Sequence, residues 1–411
     1  MRKLDAYKLY LGLMFFNSFF FSMIFVVASF YEATVAGLTG LQLVLVGTTV
    51  ELTILLFEIP TGIVADAYSR RLSIIIGYFI MGWAFIVEGS FPAFLPIVLA
   101  QILWGIGYTF TSGATQAWLS DEIGESNANR AFMRGNQFDL AGALLGMLVA
   151  IPLGNLAVNL PILAGGVAVS AIAIALALLM PEHGFHPVRP EDRNTWQHMG
   201  DIFKKGLNAV RARPTLMAIL GVGLIYGLYS EGWDRLWVKY LVDHFTLPSI
   251  FGMNEVAFFG LLRAGGMILS ILASRLVEKR LDTNHPPTVA RAMMVITALL
   301  AASIFTFAFS PALAISIAAV WLVSIARNVM DPLYNAWVNQ RLDSDTRATV
   351  ISMSGQVDAI GQVASGPLAG LVSLWSVQAA ITFASLLITP ALPLIARANR
   401  LHVDEKAPVV E

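Results

Sequence analysis

The chain has 411 residues, of which 57% are hydrophobic and 13% charged, with a net charge of −1, and its mean hydropathy is +0.70. A water-soluble domain of this size needs far more charge to cover its surface, so lipid must solvate most of the chain. The near-neutral balance offers no field for nucleic acid. The absence of cysteine excludes disulfides, thiol catalysis and thiolate metal sites.

Met1-Arg2-Lys3 precedes an apolar run from Leu9 to Phe30. That run is too long for the core of a signal peptide, and no small-residue cleavage site follows it, so it reads as a first membrane span. A crossing needs about 20 apolar residues. Cutting at loop signals predicts spans at 8–30, 40–65, 71–91, 93–120, 135–155 and 161–180, then 215–240, 254–276, 290–309, 312–338, 348–373 and 376–396. The expected class is an all-α membrane protein with twelve transmembrane helices in two six-helix bundles, 1–180 and 215–396. A linker, 181–214, joins the bundles, and a tail, 397–411, follows them. Within the linker, Trp196, Met199, Phe203, Leu207 and Val210 recur at helical spacing beside Lys204, Lys205 and Arg211, the pattern of an amphipathic helix lying on the membrane face.

Charge placement sets the orientation. With the N-terminus inside, 22 of the 26 Lys and Arg residues fall in cytoplasmic segments, as positive charge prefers. The expectation is a multi-pass protein of the cell (inner or plasma) membrane with both termini cytoplasmic.

An internal repeat runs through the two halves. Ala117-Trp118 recurs as Ala336-Trp337, Gln137 and Asp139 recur as Gln356 and Asp358, and Gly142 recurs as Gly361, all at one offset of 219 residues. Duplicated halves build a midplane site at a pseudo-two-fold axis in many transport folds.

Between spans two and three lies Gly62-Ile-Val-Ala-Asp66-Ala-Tyr-Ser-Arg70-Arg71. Gly62 would permit a close helix contact. Asp66 suits a neighbouring helix N-terminus, and Arg70 and Arg71 can bridge to an acid such as Asp121, forming a latch that holds one of two arrangements. This loop resembles the hallmark of the major facilitator superfamily, Gly-x-x-x-Asp-x-x-x-Arg-Arg/Lys. The resemblance extends over the whole chain: twelve spans, a central loop and related halves. The runs Glu58-Ile-Pro60-Thr61-Gly62, Pro181-Glu182-His183-Gly184-Phe185 and Ser230-Glu231-Gly232-Trp233-Asp234-Arg235 look like the drug/proton antiporter branch that includes macrolide- and tetracycline-efflux proteins. Two positions depart from that branch. Gln101 stands where it often has arginine, four residues before Gly105, and Met147 follows Gly142-x-x-x-Gly146 where many members have proline.

Ionisable groups inside spans face a cavity or a partner. Glu51 and Glu58 lie on span two, Glu231, Asp234 and Arg235 on span seven, Arg263 on span eight, and Arg327 and Asp331 on span ten. Glu51, Glu231 and Asp331 are the first candidates for carrying protons, with Glu58 and Asp234 behind them; fixed salt bridges are the alternative for each. Arg327 and Asp331, four apart, can pair on their own helix, and Arg235 can neutralise Asp234. Asp139 and Asp358 are placed near the cytoplasmic ends of their helices and read as gate groups. Gln101, Tyr108, Gln116, Trp233, Arg263 and Arg327 are candidates for lining the substrate cavity.

The resemblance implies a secondary active transporter that exports small amphipathic, drug- or antibiotic-like compounds by proton-coupled alternating access. Proton-coupled uptake of a metabolite is the alternative on the same fold. A membrane sensor or enzyme is more remote, for no nucleophile constellation, phosphate loop or metal-ligand spacing is present. The expected partners are a small-molecule substrate, protons and the lipid bilayer, without cofactor or metal, and the expected state is a monomer.

Overall fold

In the computed structural model, residues 4–187, 210–211, 214–282, 285–339 and 344–406 are described. They form fourteen α-helices and no strand. In chain order these are α1 (Ala6–Thr34), α2 (Gly40–Ala67), α3 (Arg70–Ser90), α4 (Phe94–Thr111), α5 (Ala114–Ile123), α6 (Glu125–Leu156) and α7 (Leu160–Leu179). There follow α8 (Pro214–His244), α9 (Glu255–Arg280), α10 (Pro286–Ala308), α11 (Leu313–Asn339), α12 (Ser344–Ser373), α13 (Val377–Leu387) and α14 (Ala391–Lys406). The amphipathic helix expected from Trp196 lies, but for Val210 and Arg211, outside the described residues.

Among the described residues, eleven segments are long and apolar enough to cross a bilayer, α4 with α5 and α13 with α14 each counting as one. The span expected at 348–373 corresponds to α12, whose 30 residues suffice in length but carry Gln356, Asp358, Gln362 and Ser365, which make it more polar than the rest. Leu95, Leu156 and Val295 expose 74, 76 and 68% of their surface. Isolated exposed leucines are ordinary in water, but large apolar side chains outward along helix after helix fit a lipid solvent.

Local signals explain where helices start and stop. The Asp5 carboxylate caps α1, Thr39 forms a capping box with Gln42 before α2, and the Ser69 hydroxyl accepts the Leu72 N–H to start α3. Each satisfies N–H groups that the first turn leaves open. The fourth span is broken between α4 and α5 at Gly113, whose φ of +71° suits a residue without Cβ, and Gly124, at φ +81°, turns the chain from α5 into α6. The expectation placed the fifth span at 135–155. In fact α6 begins at Glu125 and runs for 32 residues, because the polar run Glu125–Gln137 is helical and precedes the apolar part.

Contacts divide the described residues into two compact units. One holds those up to 187 with Thr246–Ala264, and the other holds those from 210 to Phe245 and from Gly265 onward. Helix α9 therefore begins in the first and ends in the second. The core of the first unit gathers Tyr10 and Leu13 of α1, Ile74, Tyr78 and Met81 of α3, and Trp118 and Leu119 of α5.

The repeated residues occupy corresponding places inside each unit. Gly142 of α6 packs against the backbone of Phe15 in α1, and Gly361 of α12 against the backbone of Leu224 in α8. Trp118 and Trp337 are both fully buried.

Candidate functional site

The first unit holds the motif loop. Arg70 Nη1 lies 2.5 Å from Asp121 Oδ2, and Nη2 lies 3.8 Å from Asp66 Oδ1. Asp66, expected at a helix N-terminus, is instead half exposed at the end of α2. The carboxylate at the start of α3 is Glu182, which accepts the Ser69 hydroxyl at 2.8 Å and the Arg71 N–H at 2.9 Å, the placement that a helix dipole favours. Gly62 also departs from expectation, since a Cβ there would meet nothing within 4 Å. Arg71 Nη2 donates to the Ala177 carbonyl at 2.5 Å rather than to an acid.

The run after α7 forms a strap across this loop. Trp118 Nε1 donates to the Pro181 carbonyl at 2.7 Å, Glu122 Oε1 accepts the N–H groups of His183 and Gly184 at 2.5 and 2.7 Å, and the Arg70 guanidinium lies 6.0 Å from the Phe185 ring centroid. Sequence reasoning used Pro181–Phe185 only as a resemblance and missed Glu122 and Glu182. Because Asp121 takes the close contact, Asp121→Asn is expected to slow substrate turnover several-fold more than Asp66→Asn, with little change in KM. Transport kinetics of the two variants check this; equal effects would remove Asp121 as the latch partner.

Deeper in the first unit, Asp139 lies midway along α6 rather than near its end, and the Ser18 hydroxyl of α1 donates to its Oδ1. Beside it, the Tyr78 hydroxyl donates to Asn17 Oδ1 at 3.0 Å. Glu51 is half-buried and Glu58 exposed on α2; Tyr108 of α4 lies within electrostatic reach of both and stacks on Trp104 at 5.5 Å. Gln101 is buried, and its Nε2 donates to Glu88 Oε2 at 3.0 Å. Glu88 and Glu32 are 2% and 3% exposed. Both lie at the edges of predicted spans, which is why sequence reasoning passed over them. Gln116 is exposed on α5, and Arg263 is half-buried on the part of α9 that belongs to this unit.

In the second unit the pairings differ from those expected. Arg327 of α11 makes a two-pronged pair with Asp234 of α8, through Nη1 to Oδ1 and through Nη2 to Oδ2 at 3.0 Å. It thus pairs across helices rather than with Asp331, and it lies 5.9 Å from the Tyr229 ring centroid. Arg235 pairs with Glu231 at 3.3 Å, not with Asp234. The reason is rotational: Asp234 projects toward α11, while Glu231 and Arg235 are one turn apart on α8. The two-pronged geometry fixes the rotation of α8 against α11 at this level. Trp233 is buried against Trp237 and Phe307 and packs the core.

Asp331 and Asp358 come together on a cavity of about 360 Å³ that Tyr226, Tyr334, Asn335 and Ser354 also line. Asp358 lies midway along α12, as Asp139 does along α6, and its Oδ2 accepts Gln362 Nε2 at 2.8 Å. Asp331 makes no hydrogen bond or ion pair among the described residues. Tyr226 and Tyr334 have ring centroids 6.0 Å apart at 66°. Their hydroxyls are held by Thr297 at 2.9 Å and Ser354 at 2.8 Å. The cavity thus offers two carboxylates and two aromatic faces, which attract a cation. Tyr334 and Ser354 escaped the sequence reading; Ser354 falls two residues before the repeated Gln356, the one signal that pointed to its neighbourhood.

The known proteins that resemble this chain agree with this architecture. Residues 10–365 match the model of the Major Facilitator Superfamily. An uncharacterized MFS-type transporter, YxaM of Bacillus subtilis (strain 168), is 24% identical over 337 residues, 81% of each chain. Among solved structures, a bacterial homolog of the human lysosomal transporter Spinster, inward-facing and unoccupied, superposes with a TM-score of 0.76 at 14% identity, covering 98% of both chains. The nucleoside transporter NupG superposes with a TM-score of 0.74 at 14% identity, covering 97% of this chain and 99% of its own. At 14% identity those likenesses show the fold alone, and substrate does not follow from them. With the matched model covering most of the chain, this multi-pass membrane protein belongs to the major facilitator superfamily.

Proposed function

We propose that this transporter exports small amphipathic cations in exchange for protons by alternating access. The observation that carries the reading is the second-unit cavity, where Asp331 and Asp358 face a space walled by Tyr226 and Tyr334. An ammonium or a planar cation is held there by charge and by ring faces. A proton on the same carboxylates competes with it, which is the exchange that an antiporter needs. Glu51, Glu58 and Tyr108 in the first unit supply further acid and aromatic surface of the same kind.

The runs at Glu58–Gly62 and Ser230–Arg235, which resemble the drug/proton antiporter branch, support this reading. One observation favours a different coupling route from that branch: the position that often holds arginine is Gln101, and its amide is bonded to Glu88. We place both termini in the cytoplasm of the cell membrane, supported by the charge of the connecting segments. An impermeant thiol reagent that labelled Tyr68→Cys in intact cells would overturn that orientation.

In energised everted vesicles, addition of ethidium is expected to dequench an acid-sensitive dye in proportion to the amount of this protein. Silence across a broad panel of lipophilic cations, with accumulation of one metabolite instead, would replace export with uptake by symport.

A further inference from the structure

A second cavity, in the first unit, has the opposite chemistry. It measures about 390 Å³ and is lined by Tyr7, Ile123, Asn127, Arg130, Ala131 and Arg134. It lies at the end of the unit that carries the Arg70–Asp121 pair, where α1 begins and α5 passes into α6. Arg130 and Arg134 are four residues apart on α6, so their side chains share one face. Two guanidinium groups on successive turns repel each other, and helices commonly relieve this with an acid. Here neither arginine makes a hydrogen bond or ion pair among the described residues, and neither does the Tyr7 hydroxyl.

The surrounding acids are committed elsewhere. Asp121 holds Arg70, Glu122 holds the His183 and Gly184 N–H groups, and Asp5 caps α1. Glu125, in the first turn of α6, lies five residues before Arg130 and off its face. Asn127 spends its amide N–H on the Ile123 carbonyl. What remains, among the described residues, is a concave set in which two guanidinium groups have no carboxylate opposite them.

We infer that this cavity binds a phosphate-bearing anion, supplied in the membrane by the headgroup of an anionic phospholipid, with Arg130 and Arg134 gripping the phosphate and Tyr7 donating to it. The length of α6 supports the lipid source. Its 32 residues span about 48 Å at 1.5 Å per residue, against a hydrocarbon core of about 30 Å. The first turns, which hold both arginines, therefore reach the headgroup layer. Phe138 lies one turn beyond Arg134 on the same face and is exposed, as is Met133, offering an apolar track for an acyl chain below the phosphate. Planar guanidinium groups match phosphate oxygens in pairs, and basic recesses between membrane helices are suited to such headgroups.

The test uses the full-length protein. Native mass spectrometry measures retention of dioleoylphosphatidylglycerol against dioleoylphosphatidylcholine, and thermal shift in detergent measures protection by phosphatidylglycerol or by inorganic phosphate. The expected result is one tightly retained phosphatidylglycerol, with affinity falling about tenfold for each of Arg130→Gln and Arg134→Gln, as loss of a charge-assisted bond predicts. Protection by millimolar inorganic phosphate, lost in the same variants, would support the anion site with free phosphate as its ligand. Equal retention of the two lipids, or phosphatidylglycerol binding unchanged in the double variant, would overturn the proposal. Should the double variant fail to fold, Tyr7→Phe and Arg130→Lys with Arg134→Lys serve instead. Several-fold weaker retention in both is expected, and unchanged retention in both would overturn it.

Discussion

Asp331→Asn is expected to eliminate the proton-driven export proposed above while leaving the protein as stable as the parent. Every other acid near mid-membrane in the second unit is occupied. Asp234 is held by the Arg327 fork, Glu231 by Arg235, and Asp358 by the Gln362 amide. A carboxylate locked in an ion pair must break that pair before it can take a proton or a cationic substrate. Asp331 makes no such bond among the described residues and faces the cavity, so it can exchange one for the other at the lowest cost. Replacing it with the amide removes a charge-assisted contact of about 1.5–3 kcal/mol, a ten- to hundredfold loss of affinity for a cation. It also removes a titrating group outright, so flux driven by a pH gradient is expected to fall at least about a hundredfold, in the range that losing a positioned proton carrier produces. Liposomes with an imposed pH gradient measure the coupled flux, and substrate binding to the detergent-solubilised protein measures affinity. Full coupled flux in Asp331→Asn would end its assignment as proton carrier. Asp234→Asn is a different experiment, since it strands the Arg327 guanidinium and is expected to lower thermal stability as well.

The contrast between Asp331 and Asp234 shows where sequence reading stops. Spans, loops and the loop motif are one-dimensional signals: apolar runs of membrane length, and acids and bases at fixed spacing. Those were legible, as was the register of the repeat, which places Gly142 and Gly361 at corresponding helix crossings. Pairing between helices depends on rotation about each helix axis, which the order of residues does not state. The four-residue spacing of Arg327 and Asp331 therefore suggested a bond that Arg327 instead makes to Asp234. Position along a helix was misread for a related reason. Glu125–Gln137 is polar and looks like a loop, yet it is helical and opens α6, and counting it moves Asp139 from the end of the helix to its middle. Glu88 and Glu182 were missed because each lies at the border of an apolar run, where a carboxylate looks solvated. One of them is buried against Gln101, and the other caps the start of α3.

The second large effect is expected at Gly146. Added Cβ atoms at Gly146 and Gly142 would run into the backbone carbonyls of Phe19 and Phe15. The obstacle is therefore main chain, which has no rotamer to escape into. Without a hydrophobic drive between helices in lipid, close backbone approach at small residues is what holds α1 on α6. Gly146→Val must push the two helices apart, costing about 3 kcal/mol or more, above the usual range for an overfilled core because no side chain can yield. Separation also stretches the Ser18–Asp139 bond, which joins the same two helices. The variant is thus expected to lose both its sharp thermal transition and its monodisperse elution in detergent, and to lose transport even in the fraction that folds. Gly62→Ala is the control. Gly62 belongs to the loop motif, but its Cβ would enter open space, so its elution and melting are expected to match the parent. A Gly146→Val protein that melts and transports like the parent would mean that α1 and α6 do not need backbone contact at this level, and the packing account of the first unit would fail with it.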